Sequence, residues 1–232
     1  SESPQIRTCE LSNYWIISSL AMKVLCLSDT HGHHRKLRMP EADLFLFAGD
    51  MEASSFSRLA DFSDWVASIP LPAERKIIIS GNHDGVFERH PLEARNYLDG
   101  IATYLENSCC MVAGLKVYGT PVSLAFNNWF FNIPDDGSIK DYWDLIPPDT
   151  DILLTHQPPS GILDSDSGQK NLGCSQLLSR VKELQLRLHC FGHIHPGYGL
   201  QNIDSTTFVN ASICNDWNVM VHEPIVLQME FD

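Results

Sequence analysis

"LHCFGHIHPGYG", residues 188–199, runs from an apolar stretch into two histidines one residue apart, His193 and His195, and then into a proline and two glycines. The apolar part reads as a short buried strand that stops at Gly192. A histidine pair directly past a strand fits either a polar turn or a metal site, and the pair alone does not choose. Six further runs have the same strand character: "KVLCLSD" (23–29), "DLFLFAGD" (43–50), "KIIISGNHD" (76–84), "LKVYGT" (115–120), "DILLTHQPP" (151–159) and "TTFVNAS" (206–212). Between them, "SSFSRLADFSDWVASI" (54–69) repeats apolar residues at a helical period through Phe56, Leu59, Phe62, Trp65, Val66 and Ile69. "SQLLSRVKELQ" (175–185) does the same with Leu177, Leu178, Val181 and Leu184. Strands alternating with helices predict an α/β or α+β sheet protein and exclude a helical bundle.

The 232 residues suit one large domain, and no repeat, low-complexity tract or charge block divides them. We expect a single domain over 22–232 and an N-terminal extension over 1–21. The apolar stretch "YWIISSLAM" (14–22) is too short to span a bilayer, and Glu2 and Glu10 ahead of it do not suit a signal peptide. A net charge of −13 argues against a partner such as long DNA or RNA, or an anionic membrane, because neither is held without a field of Lys and Arg. An anionic small-molecule substrate would need its positive charge from elsewhere, and bound divalent cations would supply it. Seven cysteines, an odd number without CxxC spacing, suggest reduced thiols and a cytoplasmic location.

Ligands of open α/β sheets gather beyond the carboxyl ends of strands. Five of the apolar runs end in metal-ligating side chains: Asp29 and His31, Asp50, Asn82 and His83, His156, and finally His193 and His195. Any one could be a turn residue or a cap. All five together are poorly explained that way. His33, His34, His90, His189 and His222 match no such pattern and are expected to pack or to face solvent.

Taken in order, "DTH", "GD", "GNHD", "LLTH" and "GHIH" resemble the five motifs of the calcineurin-like metallophosphoesterase superfamily, over residues 29–195. "SGNHD", "THQPPSGILD", "GHIHPGYG", "VNASICN" and the aromatic insertion "NNWFFNIPDDGSIKDYWDLIP" (127–147) are similar to its metallophosphoesterase-domain-containing branch, whose members hydrolyse phosphodiesters including cyclic nucleotides. The resemblance implies a metallophosphoesterase fold: a four-layer αββα sandwich of two mixed β-sheets flanked by helices. It implies two divalent metal ions, Mn first with Fe or Zn as alternatives, since mixed imidazole and oxygen donors suit these metals better than Mg or Ca. Asp29, His31 and His195 would hold one, Asn82, His156 and His193 the other, and Asp50 would bridge them. A hydroxide shared by the ions would attack phosphorus. His83 would lie outside the metal shell as the catalytic proton donor. Asp84 would orient His83 or its loop.

For substrate, the arginines of the superfamily's protein phosphatases are missing: "GDMEASS" replaces a DRG-containing form, and Ser80 precedes Gly81. That favours a singly charged phosphodiester, namely a cyclic nucleotide or small nucleotide-like diester. A phosphomonoesterase and a non-catalytic scaffold are the alternatives. Asn82, His83 and Gln157 are expected to contact substrate, Gln157 standing where the branch usually has glycine. Trp129, Phe130 and Phe131 either stack a nucleobase at the pocket mouth or are simply buried.

Overall fold

The computed structural model describes residues 20–166 and 171–231. Its strands are β1 Leu20–Leu27, β2 Leu44–Ala48, β3 Lys76–Ile79, β4 Thr103–Tyr104, β5 Ser108–Val112, β6 Leu115–Thr120, β7 Ser123–Leu124, β8 Asn132–Ile133, β9 Ile152–Thr155, β10 Leu188–Phe191, β11 Gly199–Ile203, β12 Thr206–Asn210 and β13 Ile225–Phe231. The α-helices are α1 Phe56–Ser68, α2 Gly85–Arg89, α3 Pro91–Asn96, α4 Ile139–Asp144 and α5 Ser175–Glu183. One sheet has the order β13-β1-β2-β3-β4, the other β11-β12-β10-β9-β6-β5, and β7 and β8 form a separate ribbon. Each sheet has parallel central strands; β13 on β1, β11 on β12 and β5 on β6 are antiparallel edges, while the short edge strand β4 runs parallel to β3.

The side-chain period of two along each strand makes the layers. In β2, Leu44, Leu46 and Ala48 face the other sheet, where they meet Ile152, Leu154, Leu188, Cys190 and Val209. Phe45 and Phe47 point the opposite way and pack with Leu59, Phe62, Trp65 and Val66 of α1. In the second sheet Leu153, Phe191 and Phe208 turn outward onto Trp143 of α4 and Leu177 and Val181 of α5. Because both faces are covered, the central strands are predominantly apolar, as buried parallel strands are. The result is the expected αββα sandwich.

Ser55 caps α1 by accepting the Arg58 N–H at 3.4 Å. The helix then buries the face that the spacing marked. All seven predicted strands are present: β6 coincides with its stretch, β1 begins three residues earlier at Leu20, and the strands that lead into motifs end before the motif residues, which lie in the loops after them. β13 was not foreseen; it pairs with β1 from Leu20↔Phe231 to Cys26↔Ile225. β1 thus starts inside the stretch expected to be an extension, and residues 1–19 of that stretch lie outside the described residues. Among the described residues no helix is long and apolar enough to cross a membrane.

Candidate metal centre and active site

Parallel pairing brings the carboxyl ends of β1, β2 and β3 to one edge, and those of β9, β10 and β12 likewise. The sheets close on each other there: Ser28 bridges Ser212, and the Ser28 N–H donates to Ala211 O at 2.9 Å. The loops that follow are unusually constrained. Asp29, His31, Asp50, Glu52 and His193 have φ of 52°, 42°, 58°, 73° and 68°. Left-handed backbone costs a non-glycine residue about 1–3 kcal/mol, and its concentration here marks a site for which the surrounding fold compensates. A Cβ on Gly192 would stand 2.0 Å from Asp29 Oδ2, and one on Gly81 2.3 Å from Asp50 Oδ1, so these glycines are what let the loops approach the carboxylates.

Asp84 ties the loops together. Its carboxylate accepts the N–H groups of Asp50, Gly81 and Ala53 at 2.9, 2.8 and 2.8 Å. It binds the "GD" and "GNHD" turns into one unit, in keeping with the orienting role expected of it. Asp50 Oδ1 in turn accepts the His83 N–H at 2.8 Å, and Asp29 Oδ2 accepts from the His193 N–H and the Ser212 hydroxyl at 3.0 and 2.8 Å.

The ring nitrogens show what the site can hold. His156 Nδ1 and His195 Nδ1 each lie 2.9 Å from a backbone carbonyl, of Ala48 and Asn215. A carbonyl only accepts, so both Nδ1 atoms carry hydrogen and both Nε2 atoms present lone pairs when the rings are neutral. Those lone pairs face other acceptors: His156 Nε2 is 2.8 Å from Asn82 Oδ1 and 3.5 Å from Asp50 Oδ1. His195 Nε2 is 3.3 Å from both His31 Nε2 and Asp29 Oδ1. Two donors bound to one ion at about 2.0–2.2 Å stand ~3–3.4 Å apart, so these separations fit coordination of a shared cation. Asp29, His31 and His195 form one group with mutually close donor atoms, Asp29, Asp50 and His156 a second, and His31, Asp50 and His83 a third. Asp29, His31 and Asp50 each occur in two of the three. His83, expected outside the shell, lies near it, with Nε2 4.0 Å from Asp50 Oδ2.

Without a cation the cluster stores protons. Burial pulls His156 down, but the Asp50 charge and hydrogen bond outweigh it and lift the imidazole to about 9. Burial likewise opposes, and the Asp29 hydrogen bond and charge raise, His195 to about 9. Burial and the neighbouring His156 push His193 down to about 3. Asp29 is held well below the usual carboxylate range, burial being overcome by the hydrogen bond and charge of His195. Burial and then the Asp50 charge raise Asp84 to about 7, against the Ala53 and Gly81 N–H donors. A divalent ion entering this cluster displaces protons.

Above the donors opens a cavity of about 660 Å³. Asp50, His83, His193 and His195 lie at its polar end, Leu124, Phe126, Trp129 and Ile194 contribute apolar wall, and Asp135, Asp166 and Asp216 also line it. No Lys or Arg does so among the described residues. The aromatic triplet is divided. Trp129 lines the cavity with its ring 4.8 Å from that of His83, Phe130 lies under Arg89 at 4.4 Å, and Phe131 is buried in the core. Gln157 corrects an expectation: it does not line this cavity. Its side chain is buried and taken up by the wall, Oε1 accepting the Leu124 N–H at 2.6 Å. Among the histidines without a motif, His34 and His189 are buried, held by Asp61 and Thr155.

The calcineurin-like phosphoesterase model matches residues 22–197. Metallophosphoesterase domain-containing protein 1 of Homo sapiens is 37% identical over 232 residues, spanning 89% of this chain and 71% of the relative, and the Mus musculus protein of that name gives the same values. UPF0046 protein T07D4.2 of Caenorhabditis elegans is 30% identical, over 90% of this chain and 60% of the relative. Among solved structures, TT1561 of Thermus thermophilus superposes with a TM-score of 0.58 at 16% identity, over 84% of this chain and 92% of that one, which bears on the fold alone. The five motifs, their meeting at one sheet edge and these matches lead to one conclusion: the chain belongs to the calcineurin-like metallophosphoesterases and is similar to metallophosphoesterase domain-containing protein 1.

Proposed function

We propose that the protein is a dinuclear, metal-dependent phosphodiesterase acting on cyclic nucleotides or small nucleotide-like phosphodiesters. The observation that carries this reading is the cavity: its polar end holds converging metal donors, and its lining holds no Lys or Arg among the described residues. A phosphomonoester with up to two charges is commonly gripped by arginine forks. A diester with one charge needs less, and Asp135, Asp166 and Asp216 in the lining disfavour a second.

Asp29, His31 and His195 would hold one ion and Asn82, His156 and His193 the other, with Asp50 shared. Mn²⁺ suits this mixture of imidazole, carboxylate and amide oxygen, with Fe or Zn as alternatives. Such ions would lower the pKa of water and offset charge on the phosphate. His83 is partly exposed, lines the cavity and has its backbone N–H bonded to Asp50, which supports the reading that its imidazole would protonate the departing alkoxide. Trp129 offers a ring face beside it for a base. Asn82 is buried and acts from the metal side. The free cysteines Cys26, Cys109, Cys110, Cys174, Cys190 and Cys214 suit a reducing, cytoplasmic setting.

The test is hydrolysis of bis-p-nitrophenyl phosphate against the mono-ester by metal-stripped protein with Mn²⁺ added back. Preferential diester hydrolysis is expected, lost in Asp50→Ala together with metal, and reduced about 10²–10⁴-fold in His83→Ala with metal retained. Preference for the mono-ester would overturn the diester reading. No turnover of either ester with two ions bound would favour the scaffold.

A further inference from the structure

Glu52 belongs to none of the motifs. It follows Met51 in the turn after Asp50, and its φ of 73° is the most positive among the non-glycine residues described. Glutamate has no short polar side chain to ease that conformation, so the strain needs a reason. The turn aims Glu52 Oε2 to 3.5 Å from His31 Nδ1.

His31 differs from the other rings at this point. His156 and His195 each anchor Nδ1 on a backbone carbonyl. His31 Nδ1 is buried and has no hydrogen-bond partner at normal distance. Its Nε2 faces the cluster, 3.3 Å from His195 Nε2, 3.8 Å from Asp50 Oδ2 and 4.0 Å from Asp29 Oδ1. If Nε2 ligates a cation, Nδ1 must carry the hydrogen, and a buried N–H without an acceptor is destabilising. The Glu52 carboxylate, with 23% of its side chain exposed, is the acceptor beside it.

We propose that Glu52 is a positioning residue: its carboxylate receives the His31 Nδ1–H, fixes that ring with Nε2 toward the metal centre, and so sets the affinity of the ion held by Asp29, His31 and His195. This rests on the dinuclear reading above. The carboxylate orients the ring and, through it, raises the basicity of the ligating nitrogen, as outer partners of metal-bound histidines do. The ion held by Asn82, His156 and His193 is served by the Ala48 carbonyl instead and is independent of Glu52.

The experiment is a Mn²⁺ titration of the metal-stripped full chain against a chromophoric chelator, for wild type, Glu52→Ala, Glu52→Gln and Glu52→Gly, with thermal unfolding of each metal-free protein. Wild type is expected to bind two ions. Glu52→Ala should weaken one of them by about 10–100-fold and leave the other unchanged. Glu52→Gln, which keeps an acceptor oxygen without the charge, should lose less. Glu52→Gly should match the alanine variant in metal binding while its metal-free form unfolds at a higher temperature than Glu52→Ala, since glycine relieves the backbone. Two ions bound with wild-type affinities in Glu52→Ala would overturn the inference while leaving the dinuclear centre standing. Fewer than two ions in folded wild type would overturn both.

Discussion

His189 and His156 lie on and just past neighbouring strands of the same sheet, both fully buried, and the protein treats a proton on them in opposite ways. His189 sits inside β10, opposite Leu153 and between the rings of Phe191 and Phe208. Thr155 Oγ1 donates to Gln157 O and lies 2.9 Å from His189 Nε2, so the imidazole donates to that hydroxyl and stays neutral. Burial pushes it down to about 3. His156 stands one residue beyond the end of β9, where Asp50 and Asp29 overcome the same burial and lift it to about 9. Within the strand, histidine fills space among apolar neighbours. At the carboxyl edge it joins carboxylates that call for a cation, and a displacement of a few residues along the sheet separates the two regimes.

The comparison would break most visibly under a matched pair of substitutions. His156→Leu should cost at least about 100-fold in affinity for one ion, since loss of a mere outer-shell partner already costs 10–100-fold, and turnover should fall with it. His189→Leu should leave both ions in place and shift stability by less than about 1.5 kcal/mol, because Thr155 keeps its bond to Gln157 and only one acceptor is abandoned. Metal titration and urea unfolding of the two variants read these effects. Equal loss of metal in both would erase the distinction between strand and edge.

A smaller effect sharpens it. In the metal-free protein, His189 titrates lower folded than unfolded, so the unfolded chain takes up the extra proton between pH 6.5 and about 3. Its contribution is present above pH 6.5 and is lost as pH falls through that window. His156 and His195 titrate higher folded than unfolded, so their contribution is complete below pH 6.5 and is lost as pH rises through about 9. The unfolding midpoint of metal-free protein should therefore decline toward pH 9. With Mn²⁺ that alkaline decline should be offset, because the ion replaces the protons and binds more tightly as they leave. An alkaline limb indifferent to metal would contradict this assignment of the two rings.

Much of the site was legible because each ligating side chain directly follows an apolar run, and parallel strands carry their ends to one edge. Asp29, His31, Asp50, Asn82, His83, His156, His193 and His195 all meet there. What escaped was set by orientation. Glu52 gains its place from a left-handed turn and from which His31 nitrogen lacks a partner, and neither leaves a spacing in the chain. Gln157 stands beside a proposed ligand, yet its amide is taken by the Leu124 N–H and not by the cavity. The aromatic insertion was ambiguous because burial and stacking use the same residues, and only tertiary packing separates Trp129 from Phe131. β13 was missed although Ile225, Leu227 and Met229 turn toward the core while Val226, Gln228 and Glu230 remain exposed, a pattern weaker than the motif-bearing runs.

The most direct test of the central claim is anomalous diffraction from crystals of the Mn²⁺-loaded protein. Two peaks are predicted, one held by Asp29, His31 and His195, the other by Asn82, His156 and His193, with Asp50 in contact with both. A single peak, or two peaks that do not share Asp50, would contradict the dinuclear account.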